Sequence, residues 1–243
     1  MANPSSSPKK SRSKSGVSRA EQKRATYERF LSAARECFAN RDVRDVHMLD
    51  ISSHAGTSVG AIYVHFENRE ALIDALVAEF RADLIQAMVG ALTSTEERSV
   101  ASAIERLAET FLSKLAQLSP YVSMFASYSA RTMSSDALRA GVAAPIVQML
   151  NATLGTLRAS VTFDGDLPVL ASTIASIWRG VALAAVSRPM SDVPEIAKTL
   201  SKLTLAVLET AAPAIHSVDA RLLTRGMAQF LRADVRVSGS EST

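Results

Sequence analysis

Gly56-Thr57-Ser58-Val59-Gly60 satisfies G-x-S-x-G, the spacing that presents a nucleophilic serine on the strand-to-helix turn of an α/β-hydrolase. That chemistry needs a buried apolar strand before the turn, and acid and histidine partners on loops after later strands. Ile51-Ser52-Ser53-His54-Ala55 is too polar for such a strand and no run of strands follows, so an enzyme is not expected. His47, His54 and His65 come without a close ligand pair or cysteine cluster, so neither a metal nor another cofactor is expected. The same stretch suits contact chemistry with nucleic acid better. Tyr63 and His65 are hydrogen-bond donors, and Arg69 can hold a phosphate through two parallel N–H groups. Val59, Gly60, Ala61 and Val64 are small and apolar, so a helix bearing them can come close to base edges, where valine or alanine packs on thymine methyls.

Such residues need a short, rigidly presented helix. Met48 to Ala55 has room for two helical turns, and Gly56 can take the positive φ that ends them and redirects the chain. Ser58 then stands where its hydroxyl can cap the next helix, a bond whose loss costs about 1 kcal/mol. Two short helices joined by a glycine-containing turn form a helix-turn-helix, whose second helix enters the major groove. From about Ala20 to Asn40, Tyr27, Phe30, Leu31, Ala34, Cys37 and Phe38 recur at three- and four-residue steps and form one apolar face of a supporting helix. Ile62 and Phe66 should face inward against Phe30, Phe38 and Ile51. Asp45 or His47 should cap the second helix, and Asn68 the fourth.

Read as G-T-S-V-G-A-I-Y-V-H-F-E-N-R-E-A-L, Gly56 to Leu72 resembles the TetR family signature G-V-S-x-G-T-L-Y-x-H-F-x-x-K-E-A-L. The resemblance extends back through Asp50-Ile51 and through Phe30 to Ala39, which is similar to the family's first helix. It implies an all-α protein with an N-terminal helix-turn-helix domain and a larger helical domain for effector binding and dimerisation. By the same resemblance Tyr63 and His65 match residues that contact backbone phosphates, and Arg69 stands where the family often has lysine. His47 lies near a position that usually holds serine or threonine and touches phosphate. With Thr57, Ser58, Val59, Gly60, Ala61 and Val64 these make up the expected DNA-facing set. Val59 and Val64 depart from common family usage, which weakens hydrogen-bonded readout and favours A·T steps.

The chain is 47% hydrophobic but only 5% aromatic, a balance that suits helix packed on helix. Its single cysteine, Cys37, excludes an intrachain disulfide framework. Residues 1–24 carry a net charge of +6 against −3 for the remainder. Residues 1–19 are expected to be a disordered basic arm that follows phosphates, 20–70 the DNA-binding domain, 71–235 the effector and dimerisation domain, and 236–243 a disordered tail. The first residues lack a secretory apolar segment, which leads us to expect a cytoplasmic protein.

In the larger domain Tyr121, Met124, Phe125 and Tyr128, with Arg131 at the end of their helix, crowd one side. Together with Phe111, Met149 and Trp178 they are the expected pocket for a small-molecule effector. Pro145 should kink or divide its helix. Val169 to Val186 is apolar almost all round, but Arg179 within it makes membrane insertion expensive; a subunit interface of a homodimer is the better reading. The expected partners are therefore double-stranded DNA, an effector of unknown identity and a second copy, and no membrane. The competing reading is a helical dimer that binds a protein partner and touches nucleic acid only through its basic arm.

Overall fold

A computed structural model describes residues 18–93, 99–117, 136–185 and 188–240. Among these residues there are nine α-helices and no strands. They are α1 Arg19–Asn40, α2 Met48–His54, α3 Val59–Tyr63, α4 Arg69–Thr93, α5 Val100–Gln117, α6 Asp136–Leu157, α7 Leu167–Ala185, α8 Val193–Ala211 and α9 Arg221–Ser240. The chain is thus all-α, with a small helix-turn-helix unit followed by a helical body. α9 extends into the segment read as a tail.

Two separate apolar cores account for this division. Phe30, Leu31, Ala34 and Phe38 of α1 meet Met48 and Ile51 of α2, Ile62 of α3, Phe66, and the first two turns of α4 through Leu72, Ile73, Leu76 and Val77. Further along α4, Leu84, Ile85, Met88 and Leu92 belong to the second core, which they share with α5 to α9. One helix therefore has its start in the helix-turn-helix unit and its end in the body. The salt bridge from Arg35 of α1 to Glu79 stands where α4 passes from one core to the other.

The ends of α1 show how local chemistry sets these elements. Ser18 accepts from the Glu21 amide at 3.1 Å while the Glu21 carboxylate accepts from the Ser18 amide at 2.7 Å, a capping box that starts the helix at Arg19. These two bonds hold the Glu21 carboxyl below its ordinary pKa.

Within the body, α5 packs chiefly on α8, and α6 on α9. The α6–α9 crossing is close because Gly226 has no side chain: a Cβ there would lie 2.6 Å from Thr153 Cα. Pro145, expected to kink or divide its segment, does not divide it; α6 runs through the proline to Leu157. Proline removes one rung of the backbone ladder, and the neighbouring rungs carry the helix on. In the single chain only Ala171 and Ile174 of α7 are buried, and Val169 and Leu183 are more than half exposed.

Candidate nucleic-acid interface

The turn between α2 and α3 is fixed by backbone bonds that its sequence permits. Gly56 has φ +66° and donates to the Ser53 carbonyl at 3.1 Å, and the Thr57 amide donates to Ser52 at 2.9 Å. Together they are the two bonds of a Schellman motif, in which a residue of left-handed conformation closes the helix. The Thr57 hydroxyl adds a bond to the same Ser52 carbonyl at 3.2 Å. No atom stands within 4 Å of a Cβ built at Gly56, so alanine there meets only the backbone penalty. Gly56→Ala should lower stability by about 1–2 kcal/mol, read from urea denaturation.

α3 is only five residues long, yet it is held firmly from beneath. Ile62 is fully buried, and Phe66 stacks on Tyr27 with ring centroids 5.0 Å apart. The outer side carries Gly60, Tyr63 and Val64, all exposed, with Val59 and Ala61 half-buried at its margins. Ser58 occupies the cap position, but its hydroxyl makes no capping bond; its carbonyl accepts from the Ala61 amide at 3.0 Å instead, and the side chain lies in solvent. The expected hydroxyl cap is therefore replaced by a backbone rung.

His47 precedes α2 with its side chain exposed, while the Asp50 carboxylate accepts from the His47 amide at 2.8 Å. That bond, and then the Arg41 guanidinium 3.0 Å away, keep the Asp50 carboxyl below its ordinary pKa. The bond at this helix start is made by the acid three residues on rather than by the imidazole, which stays exposed. His65 is placed differently. Its ring lies 5.5 Å from that of Phe30 and 6.2 Å from that of Tyr27, and burial there, then Lys23, lowers its pKa. A neutral, half-buried imidazole offers a hydrogen bond but little charge.

Arg69 turns inward as well, donating to the Val46 carbonyl at 3.1 Å. It ties the start of α4 to the link before α2, a role its place in the sequence did not suggest. Asn68 accepts from the Ala71 amide at 2.8 Å and caps α4 as expected. His54 meets Glu36 at 2.7 Å and clamps α2 to α1. Neither this pair nor Arg35–Glu79 has a local sequence signal, because the partners are far apart in the chain. Among the described residues no cluster of histidine, cysteine or acidic side chains is arranged to hold a metal ion.

In the body, three of the expected pocket residues are described. The rings of Phe111 and Trp178 meet at a tilt of 58° with centroids 5.1 Å apart, and Met149 is buried in the same core. Tyr121, Met124, Phe125, Tyr128 and Arg131 lie outside the described residues. The Trp178 indole donates to the Thr204 hydroxyl at 2.9 Å, and Thr204 in turn donates to Leu200. Thr204→Val leaves the indole without that acceptor, so a loss of about 1–3 kcal/mol is expected. Trp178 is the sole tryptophan, and a shift in its fluorescence along with the thermal midpoint checks this.

A short helix presented outward on a buried base, after a tight turn and a second helix, defines a helix-turn-helix DNA-binding domain. Residues 30–76 match the model of bacterial regulatory proteins, tetR family; this segment is the TetR-family DNA-binding domain. No curated protein matches the chain. Among solved structures, the fatty acid degradation regulator FadR from Bacillus halodurans is similar at 17% identity and a TM-score of 0.57, over 74% of this chain and 94% of that one. A TetR-family transcription regulator from Shewanella sp. PV-4 gives 15% identity and 0.59, over 77% and 98%. RolR in complex with resorcinol gives 18% and 0.50, over 79% and 95%. At such identities these likenesses speak for the fold, a helix-turn-helix domain on a helical body.

Proposed function

We propose that the chain is a ligand-responsive transcription regulator that binds a palindromic operator as a homodimer and is released by a small molecule, acting as a repressor. The observation that carries this reading is the two-sided character of α3, with Ile62 buried and Gly60, Tyr63 and Val64 exposed on a rigid base. His47 and Tyr63 are the phosphate contacts of this surface, with Thr57 and Ser58 at its edge; His65 and Arg69 chiefly hold the frame. So small a surface suffices when two copies about 34 Å apart address successive major grooves.

Dimerisation is supported by α7. Val169, Ser172, Thr173, Ser176, Gly180 and Leu183 line one exposed side of it, small or apolar throughout, on a helix long and apolar enough by composition alone to cross a membrane. A second copy covers such a side, whereas Arg179 opposes insertion into lipid. For the effector, Phe111 and Trp178 supply an aromatic wall, and the resorcinol bound by RolR shows a small aromatic compound in a protein of this fold. An effector that favours the DNA-incompatible state shifts binding through α4, with typical couplings of about 1–3 kcal/mol.

The test is fluorescence anisotropy on DNA from immediately upstream of the chain's own gene, with excess unrelated DNA at near-physiological salt. Retained binding, followed by release with compounds that also perturb Trp178 fluorescence, is the expected result; binding abolished by competitor on every fragment tried speaks against it. One observation favours the arm-only reading: residues 18–70 carry eight basic and eight acidic side chains, so the folded domain has no net positive charge. Arm deletion separates the two.

A further inference from the structure

Gly60 stands in a helix, where glycine is a poorer choice than alanine, and nothing inside the protein asks for it. Its φ is not positive, and a Cβ built there meets no atom within 4 Å. At 100° per residue it lies between Tyr63, 51% exposed, and Val64, 73% exposed, on the side away from Ile62. An aliphatic side chain as open as Val64, beside a backbone stripped of its side chain, is shaped for a contact from outside. The major-groove edge offers one apolar group of that size, the C5-methyl of thymine; adenine, guanine and cytosine present only donors and acceptors there.

We propose that this face seats a thymine methyl in each operator half-site. Val64 is the wall against which the methyl packs, and the bare backbone at Gly60 lets α3 come close enough to the base edges for that contact. The inference rests on the reading of this domain as a major-groove reader. It makes Gly60 and Val64 determinants of specificity, although neither can make a side-chain hydrogen bond. Their contribution is apolar area removed from water, together with the closeness of approach.

The experiment begins with selection of duplexes from a random library by the full-length protein; failure to enrich any palindrome contradicts the underlying reading, not this refinement of it. In an enriched operator, thymines are then replaced in symmetric pairs by deoxyuridine, which removes only the methyl. One pair should weaken binding roughly 10- to 20-fold, the worth of two buried methyl groups. With Val64→Ala the same replacement should have almost no effect. Gly60→Ala should raise the thermal midpoint and yet lower operator affinity about 10-fold or more. Val64 faces solvent and a Cβ at Gly60 meets no atom within 4 Å, so both variants should fold. A palindrome bound equally well with every thymine replaced, an undiminished deoxyuridine penalty in Val64→Ala, or a Gly60→Ala variant that binds normally overturns the proposal.

Discussion

Leu183→Glu combined with Leu203→Glu should give a folded monomer that binds its operator about 10²–10⁴-fold more weakly. Both leucines are about half exposed, on α7 and α8, so a carboxylate at either position stays hydrated in the isolated chain. In a dimer the same carboxylates would be pressed against the partner's apolar surface, and uncompensated burial of a charge costs several kcal/mol. The effect on DNA follows from geometry rather than from any lost contact with it. Once one reading helix of a dimer is seated, the other is held beside its own half-site, and the second binding event is intramolecular. Sedimentation velocity should show half the mass, circular dichroism an unchanged helix content, and anisotropy the loss of affinity. A variant that stays dimeric places the interface elsewhere.

Deletion of residues 2–17 should have an effect of similar size but of a different kind. That segment holds Lys9, Lys10, Arg12 and Lys14 and no acidic residue, while the folded domain behind it is balanced in charge. If all four cations of each arm meet phosphates, the plot of log affinity against log salt should become shallower by about 7 for a dimer. Affinity for any duplex then falls most at low salt, and the preference for operator over unrelated DNA is kept, because phosphate contacts set position and not sequence. Loss of DNA binding altogether on deletion would instead support the arm-only reading.

The fold was legible where it depends on neighbours in sequence. The apolar steps of α1, the stripe that opens α4 at Leu72 and the positive φ of Gly56 all follow from residues within a few positions of one another. The outward set Gly60, Tyr63 and Val64 was legible for the same reason, since burying Ile62 and Phe66 leaves no other side to face out. What escaped the sequence is tertiary. Arg69 looks like a phosphate grip until Val46, 23 residues earlier, brings its carbonyl within 3.1 Å. Nothing local announces that the rings of Tyr27 and Phe30 flank that of His65. Ser58 has the right type for a cap, but its hydroxyl makes no such bond in the turn as folded.

The body divides along the same line. Trp178 was recognised as an aromatic of interest, but its acceptor Thr204 lies 26 residues on, on another helix, with no local pattern to reveal it. Gly226 is one glycine in an amphipathic helix, and only the crossing with α6 shows why a side chain is excluded there. α7 reads as buried because it is apolar almost all round. In the single chain one side of it is open, with Val169 and Leu183 more than half exposed.

The most direct test of the central claim is selection from random-sequence duplexes with the arm-deleted protein, because it asks whether the folded helix-turn-helix reads sequence without help from the arm. The account predicts enrichment of a palindrome whose half-site centres are separated by about one helical turn, 10–10.5 base pairs, or a multiple of it. Sequences no more alike after selection than before, from a protein shown to be folded and dimeric, would contradict it.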